Sequence, residues 1–149
     1  METMKTTVVA AVSMAAATAT IGFAAPVHAD ESYYEFLSPS ANIACSVGTG
    51  SDGKSGAGCD IRDHTYTPPP RPLDCHQGWG DRVSLEGGSA PVLHCHGDTE
   101  VFPGKPTLPY GQTRSAGPIT CDSEPTGVTC TDTSTGHFFR LSRDSYQLG

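Results

Sequence analysis

Short segments in which apolar and polar residues alternate recur along this chain, separated by stretches rich in glycine, proline, serine and aspartate. Ile43-Ala44-Cys45-Ser46-Val47 alternates in this way, a Gly/Ser-rich stretch over residues 48–58 follows, and Cys59-Asp60-Ile61-Arg62 alternates again. Successive side chains of a strand point to opposite faces, so this pattern predicts a β-hairpin that buries Cys45 and Cys59 on the same face.

The same pattern returns near the C-terminus, where Ile119-Thr120-Cys121 and Val128-Thr129-Cys130 flank a turn-rich stretch over residues 122–127. It predicts a second hairpin, which pairs Cys121 with Cys130. The two Ile-x-Cys hairpins resemble a short internal repeat. Further strands are predicted over residues 82–85, 92–96 and 137–141.

Proline-rich connectors over residues 68–72 and 103–109 separate these units, and the first must be extended. Because Gly or Pro recurs every few residues, no window remains for a long amphipathic helix. Residues 30–36 are expected to be a loose segment that docks through Tyr33, Tyr34 and Phe36. The predicted fold is mainly β: a small disulfide-stapled domain of antiparallel hairpins with Pro/Gly-rich connectors.

The N-terminal segment is typical of a secretory signal peptide. Residues 6–25 carry no charge, and small residues precede a cleavage site after Ala29. Either Met1 or Met4 fits as the start, and no Cys precedes Cys45, so a lipid anchor at the cleavage point is not expected. The sequence predicts cleavage of residues 1–29 and a single secreted domain over residues 30–149, without a membrane anchor.

Six cysteines follow the predicted cleavage site, and six cysteines allow about 15 pairing schemes. The hairpin pattern favours Cys45 with Cys59 and Cys121 with Cys130, which leaves Cys75 with Cys95; the sequence alone does not fix this choice. Only 19 of residues 30–149 are Leu, Ile, Val or Phe, so a thin core is expected to depend on cross-links worth about 2 to 4 kcal/mol each.

The formal net charge is −7, and the Lys and Arg residues are scattered along the chain. No basic cluster is present to bind nucleic acid or anionic lipid, and neither partner is expected. The partners compatible with this composition are a protein or a glycan at the cell exterior.

His94-Cys95-His96-Gly97-Asp98 is a candidate metal site. On a strand, His94 and His96 would point to one face while Cys95 enters a disulfide with Cys75, and this bridge would bring His76 close. Three imidazoles with the Asp98 carboxylate would suit Zn²⁺ or Cu²⁺. The alternative is a solvated strand face with no cofactor.

Trp79 stands between two glycines, and Tyr66 and Tyr110 lie in other Pro-flanked loops. Aromatic side chains on rigid loops form recognition surfaces, so these three residues are candidate binding residues. Trp79 has a second interpretation, in which it folds back as a lid over a small core. No Gly-x-Ser-x-Gly or His-Glu-x-x-His motif occurs, and the sequence identifies no catalytic residue.

Five segments of the chain together form a recognisable pattern: Phe36-Leu37-Ser38-Pro39-Ser40-Ala41-Asn42-Ile43-Ala44-Cys45, Pro69-Pro70-Arg71-Pro72-Leu73-Asp74-Cys75, Leu108-Pro109-Tyr110-Gly111, Gly127-Val128-Thr129-Cys130 and Gly136-His137. This pattern resembles a family of short exported actinobacterial proteins of unknown function, whose opening motif usually reads Ser-Pro-Ser-Gly-Asn-Ile, with Ala41 here in place of the glycine. The resemblance implies export and one disulfide-bearing domain, and it assigns no active site.

The function favoured by the sequence is a non-catalytic extracellular binding or interaction module. The alternative is a metal-binding protein or metal-dependent enzyme with a site at His94 and His96.

Overall fold

A computed structural model describes residues 32–149 of the chain. The predicted signal peptide, residues 1–29, lies outside the described residues. Ten strands make up the described part: β1 (Tyr33–Leu37), β2 (Ile43–Thr49), β3 (Ser55–Ile61), β4 (Arg82–Glu86), β5 (Val92–Leu93), β6 (Thr113–Ala116), β7 (Ile119–Glu124), β8 (Gly127–Asp132), β9 (Phe138–Leu141) and β10 (Tyr146–Leu148).

The strands form two five-stranded antiparallel sheets, the first in the order β1-β2-β3-β4-β5 and the second in the order β10-β9-β8-β7-β6. In each sheet, strands that are neighbours in sequence are neighbours in space, and this holds even for β3 and β4, which residues 62–81 separate. The predicted class, a mainly β domain built from antiparallel hairpins, is confirmed. Within residues 32–149, no helix is long and apolar enough to cross a membrane.

The two sheets share one core, formed by the side chains that alternate inward from each strand. Leu85 and Val47 of the first sheet and Phe139 and Leu141 of the second are at most 1% exposed and belong to the same buried cluster. Two sheets that pack face to face in this way are a β-sandwich. A smaller cluster of Leu37, Ala44 and Val101 covers part of the outer face of the first sheet.

The cysteines pair as the hairpin pattern favoured. Cys45 lies directly opposite Cys59 across β2 and β3, with Cα atoms 4.1 Å apart, and Cys121 lies opposite Cys130 across β7 and β8, with Cα atoms 4.0 Å apart. These four residues belong to the shared core. The third bridge joins Cys75 to Cys95 between two loops, and Cys95 is exposed.

Two expectations from the sequence are wrong. Residues 33–37 are not a loose segment but strand β1, which pairs with β2 along its whole length. Phe36 of this strand is buried, while Tyr33 and Tyr34 remain exposed. The strand predicted over residues 92–96 ends at Leu93, because the chain there turns away from β4 towards the Cys75 loop.

The turn between β1 and β2 holds Ala41 at a φ of 55°, which makes it the single non-glycine residue with positive φ in the described part of the chain. The first turn of the second sheet, between β6 and β7, places Gly117 at a φ of 54°. Side chains with a Cβ are disfavoured in this conformation. Ala41 is therefore a strained position.

Candidate functional site

A cleft of about 650 Å³ opens at one end of the sandwich, between the β1–β2 turn of the first sheet and the β7–β8 and β9–β10 turns of the second. We call it the arginine cleft, because three arginines contribute to its lining. Its charged lining residues are Arg62, Arg140, Arg143, Asp63, Glu124 and Asp144, and Tyr110 lies at its rim.

These charged groups are not paired with one another. Among residues 32–149, no carboxylate lies within 4.0 Å of the guanidinium groups of Arg62, Arg140 and Arg143. Arg140 Nη2 donates instead to the carbonyl oxygen of Thr126, 3.1 Å away. The cleft therefore presents positive and negative groups in equal number, all of them with hydrogen-bonding capacity left over.

Hydrogen bonds fix the loops that carry these groups. Asn42 Nδ2 donates to the carbonyl oxygen of Asp63 at 2.9 Å, and the backbone N–H of Asp63 donates back to Asn42 Oδ1 at 3.0 Å. The N–H of Thr65 donates to the carbonyl oxygen of Arg143 at 2.7 Å, which ties the loop after β3 to the β9–β10 turn of the second sheet. A binding surface held in this way loses little conformational entropy when a ligand arrives.

A serine-centred turn shapes the side of the cleft formed by the second sheet. Ser142 is 5% exposed, and its hydroxyl donates to Asp144 Oδ1 at 2.8 Å and accepts from the N–H of Ser145 at 3.1 Å. The bond from Ser142, with a smaller contribution from the charge of Arg140, holds the pKa of Asp144 below its ordinary value of 3.8. Asp144 is therefore an acceptor at neutral pH.

The candidate aromatic residues do not form one surface. Trp79 and Tyr66 are half-buried and pack against the core; Trp79 Nε1 donates to the carbonyl oxygen of Pro69 at 3.0 Å, and the Tyr66 hydroxyl donates to that of Gly80 at 2.8 Å. Burial raises the pKa of Tyr66, with a further contribution from Asp81. Only Tyr110, which is 46% exposed, lies at the arginine cleft.

The candidate metal ligands do not converge either. His76 and His94 are exposed, and His94 Nε2 is hydrogen-bonded to Ser84 Oγ. Both ring nitrogens of His96 have partners, Asp81 Oδ1 at 2.8 Å and the carbonyl oxygen of Asp98 at 2.6 Å. No group of three or more His, Cys, Asp or Glu side chains arranged to hold a metal ion occurs within residues 32–149.

Asp98 belongs instead to an ion-pair network. Its carboxylate lies 2.8 Å from Arg82 Nη1, and Arg82 also donates to both oxygens of Asp60, at 2.6 and 2.8 Å. The hydrogen bond from Arg82, and then its charge, lower the pKa of Asp98, and the bond to Asp60 raises the pKa of Arg82. Because Asp60 is 3% exposed and also accepts the N–H of Glu100, the network holds the loop after β5 against β3 and β4.

Ser84 and His94 are the nearest approach to a nucleophile and a base. The two side chains are hydrogen-bonded on the outer face of the first sheet. In the part of the chain that the structure describes, no carboxylate orients His94 from its other side. Activation of a serine needs a base that a third group holds in place.

A second cleft of about 580 Å³ lies beside β1 and is lined by Tyr33, Tyr34, Glu35 and Arg114, among others. It offers fewer free charged groups than the arginine cleft, because Glu35 is occupied by Lys105 Nζ at 2.9 Å. Burial alone would lower the pKa of Lys105, but its bonds to Glu35 and Glu100 raise it. We therefore take the arginine cleft as the candidate site.

Comparison with known families matches residues 10–148 to a family of unknown function, DUF6636. The chain belongs to the DUF6636 family. This assignment agrees with the resemblance to a family of unknown function, while the actinobacterial origin and the opening motif stay predictions. No curated protein and no solved structure matched this DUF6636 protein.

The sequence pattern indicates Tyr110 but not the three arginines, which stand at separate places in the chain. Arg62 follows β3 directly, and Arg140 and Arg143 flank the start of the β9–β10 turn. A usable signal was present, since each of them lies within two residues of a strand end. That signal becomes specific only when it is known which strand ends meet.

Proposed function

We propose that this protein is a secreted, non-catalytic binding module and that the arginine cleft is its ligand site. The observation that carries the proposal is the set of three guanidinium groups and three carboxylates that line one cleft without pairing with one another. Charged side chains left unpaired along a concave surface are available to bind a ligand, and specificity in such sites comes from a few fixed polar groups.

Secretion is part of the same proposal. Three disulfides are consistent with an oxidising compartment outside the cytosol. We expect the protein recovered from culture medium to begin at Asp30, which N-terminal sequencing checks. Recovery of the chain only in the cytosol, with free thiols, would contradict it.

The binding function is tested with the purified, fluorescently labelled protein on intact bacterial and yeast cells, read by flow cytometry. We expect saturable binding that unlabelled protein competes away. The double variant Arg140→Gln/Arg143→Gln should bind at least about tenfold more weakly, because it removes two multidentate donors from the cleft.

The matched control is Arg71→Gln/Arg114→Gln, which removes the same charge from two exposed arginines outside the cleft. It should bind like the unchanged protein. Equal loss in both double variants would show that overall charge, rather than the cleft, governs binding, and the proposed site would then be wrong. Absence of saturable binding to any of the cells would also count against the module.

A further inference from the structure

We infer that the ligand of the arginine cleft is a neutral glycan, held through pairs of neighbouring hydroxyl groups. This inference rests on the proposed function, because it names the chemical class that the same site takes. Three properties of the cleft support it: its charge balance, its mixture of donors and acceptors, and the aromatic ring at its rim.

The charge balance disfavours an ionic ligand. Arg62, Arg140 and Arg143 contribute three positive charges, and Asp63, Glu124 and Asp144 contribute three negative charges to the same cleft. An anion attracted by the guanidinium groups would be repelled by the carboxylates, and a cation attracted by the carboxylates would be repelled by the guanidinium groups. The net charge of −7 adds a general repulsion of polyanions.

The hydrogen-bonding groups of the cleft are complementary to hydroxyls. A guanidinium group only donates and a carboxylate only accepts, whereas a hydroxyl does both. Two neighbouring hydroxyls can therefore accept from an arginine while they donate to an aspartate or glutamate. Asn42 also lines the cleft, and after its two bonds to Asp63 its side-chain amide retains one N–H and one acceptor lone pair.

Tyr110 supplies the apolar contact that a sugar ring needs. It is 46% exposed at the rim, and its hydroxyl makes no hydrogen bond within residues 32–149. Tyr110 directly follows Pro109 in the chain, and the proline ring restricts the backbone of this loop. An exposed aromatic ring on a stiff loop can pack against the C–H face of a pyranose while the charged groups bind its hydroxyls. The volume of about 650 Å³ lies in the usual range of small-ligand sites.

The test uses immobilised mannan, xylan, starch and dextran as neutral probes, and heparin and polyglutamate as anionic probes. Binding of the purified protein is measured by biolayer interferometry at low and high salt. We expect binding to at least one neutral polysaccharide, with little change in affinity between the two salt conditions, because no net charge has to be screened. Tyr110→Ala should weaken it at least about tenfold, a loss typical of a stacked aromatic contact.

The matched control is Tyr33→Ala, which removes an exposed tyrosine outside the cleft and should leave binding unchanged. Periodate cleaves the bond between neighbouring hydroxyl-bearing carbons, so prior oxidation of the polysaccharide should abolish binding. Binding that survives periodate would overturn the inference.

The outcomes separate this inference from the proposed function. If no neutral polysaccharide binds, or if heparin alone binds with a steep salt dependence, the glycan inference is wrong. In that case the arginine double variant can still fail to bind cells, and treatment of the cells with protease rather than periodate can still abolish binding. That result would support the binding module with a protein as its ligand. If the protein binds neither the polysaccharides nor the cells, both proposals are wrong.

Discussion

In both sheets the second and third strands are joined by a disulfide between directly opposed residues, Cys45 with Cys59 and Cys121 with Cys130. The sheets differ in what lies between their strands. The longest connection within the second sheet is residues 133–137, whereas residues 62–81 separate β3 from β4 in the first. The first sheet carries the additional cross-links, the Cys75–Cys95 bridge and the Arg82 network, at this long excursion.

The two sheets also differ at the buried residue two positions after the second cysteine of each hairpin. Ile61 lies opposite Ile43 in the first sheet, but Asp132 lies opposite Ile119 in the second. Asp132 is 0% exposed, and its Oδ2 accepts the N–H of Gly88 from the first sheet at 2.7 Å. The second sheet, whose turns are short, is held by one disulfide. The long excursion of the first sheet is held by a further disulfide and an ion-pair network, and the contact between the sheets by a hydrogen bond.

Removal of the disulfides should have the largest effect. Three bridges at about 2 to 4 kcal/mol each approach the whole stability of a typical domain, so full reduction should unfold the protein near room temperature. Circular dichroism and proteolysis with and without reductant measure this. A cooperative melt in the reduced protein would mean that the core alone suffices.

Paired Cys→Ala variants rank the three disulfides by their contribution to stability. Loop length alone would rank the Cys75–Cys95 bridge first, since its separation is 20 residues against 14 and 9 for the others. The predicted entropic difference is less than about 1 kcal/mol. We expect the two core bridges to cost more because their sulfurs are fully packed, and Cys121–Cys130 to cost most. A greater loss at Cys75 and Cys95 would show that loop length governs.

Arg82→Met should come next, with a loss of about 3 kcal/mol in the free energy of unfolding, because it leaves the buried Asp60 carboxylate without its partner. Denaturant titration measures the change. Asp60→Leu/Arg82→Met should recover part of the loss, since both charges are then gone. The control Arg114→Met, at an exposed arginine of the second sheet, should change stability by less than about 0.5 kcal/mol. A loss in Arg114→Met as large as that in Arg82→Met would contradict a special role of the Arg82 network.

Asp132 makes the contact between the sheets sensitive to acid. Hydrogen bonds from Ser134, and then from the Gly88 N–H, hold the pKa of Asp132 below its ordinary value of 3.8. As the pH falls, the unfolded state therefore binds a proton at Asp132 before the folded state does. The contribution of Asp132 to stability is complete above about pH 5, and it falls as the pH drops through 3.8 towards the lower pKa of the folded state. Thermal melts from pH 6 to pH 2 should show a smaller acid loss in Asp132→Asn, which starts less stable. Equal slopes in the two proteins would contradict this role.

Ala41→Gly should give the smallest effect, a gain of about 0.5 to 1 kcal/mol, because glycine adopts the positive φ without the Cβ clash. The first turn of the second sheet already has a glycine, Gly117, at nearly the same φ. Ala90→Gly is the control at an exposed turn position with ordinary φ, where glycine should lower stability slightly. Urea midpoints of the two variants decide between relief of strain and a general effect of glycine.

The sequence alone determined the hairpins and the pairing pattern of their cysteines, because a period of two residues is a local property that survives without tertiary information. It misassigned β1, since Leu37 is buried on the outer face by Val101 while Phe36 enters the core, and apolar residues on both faces hide the alternation. It likewise extended β5 to His96, although the Cys75 loop draws the chain away after Leu93.

The position of the candidate site depends on the tertiary structure. Residues 62, 110 and 140 meet because the two sheets stack with the β1–β2 and β9–β10 turns at one end, and no local pattern encodes that stacking. His96 and Asp98, two members of the predicted metal-ligand set, bind Asp81 and Arg82 instead. Strand periodicity is written into neighbouring residues, whereas the meeting of loops depends on how buried faces pack, which is a property of the whole domain.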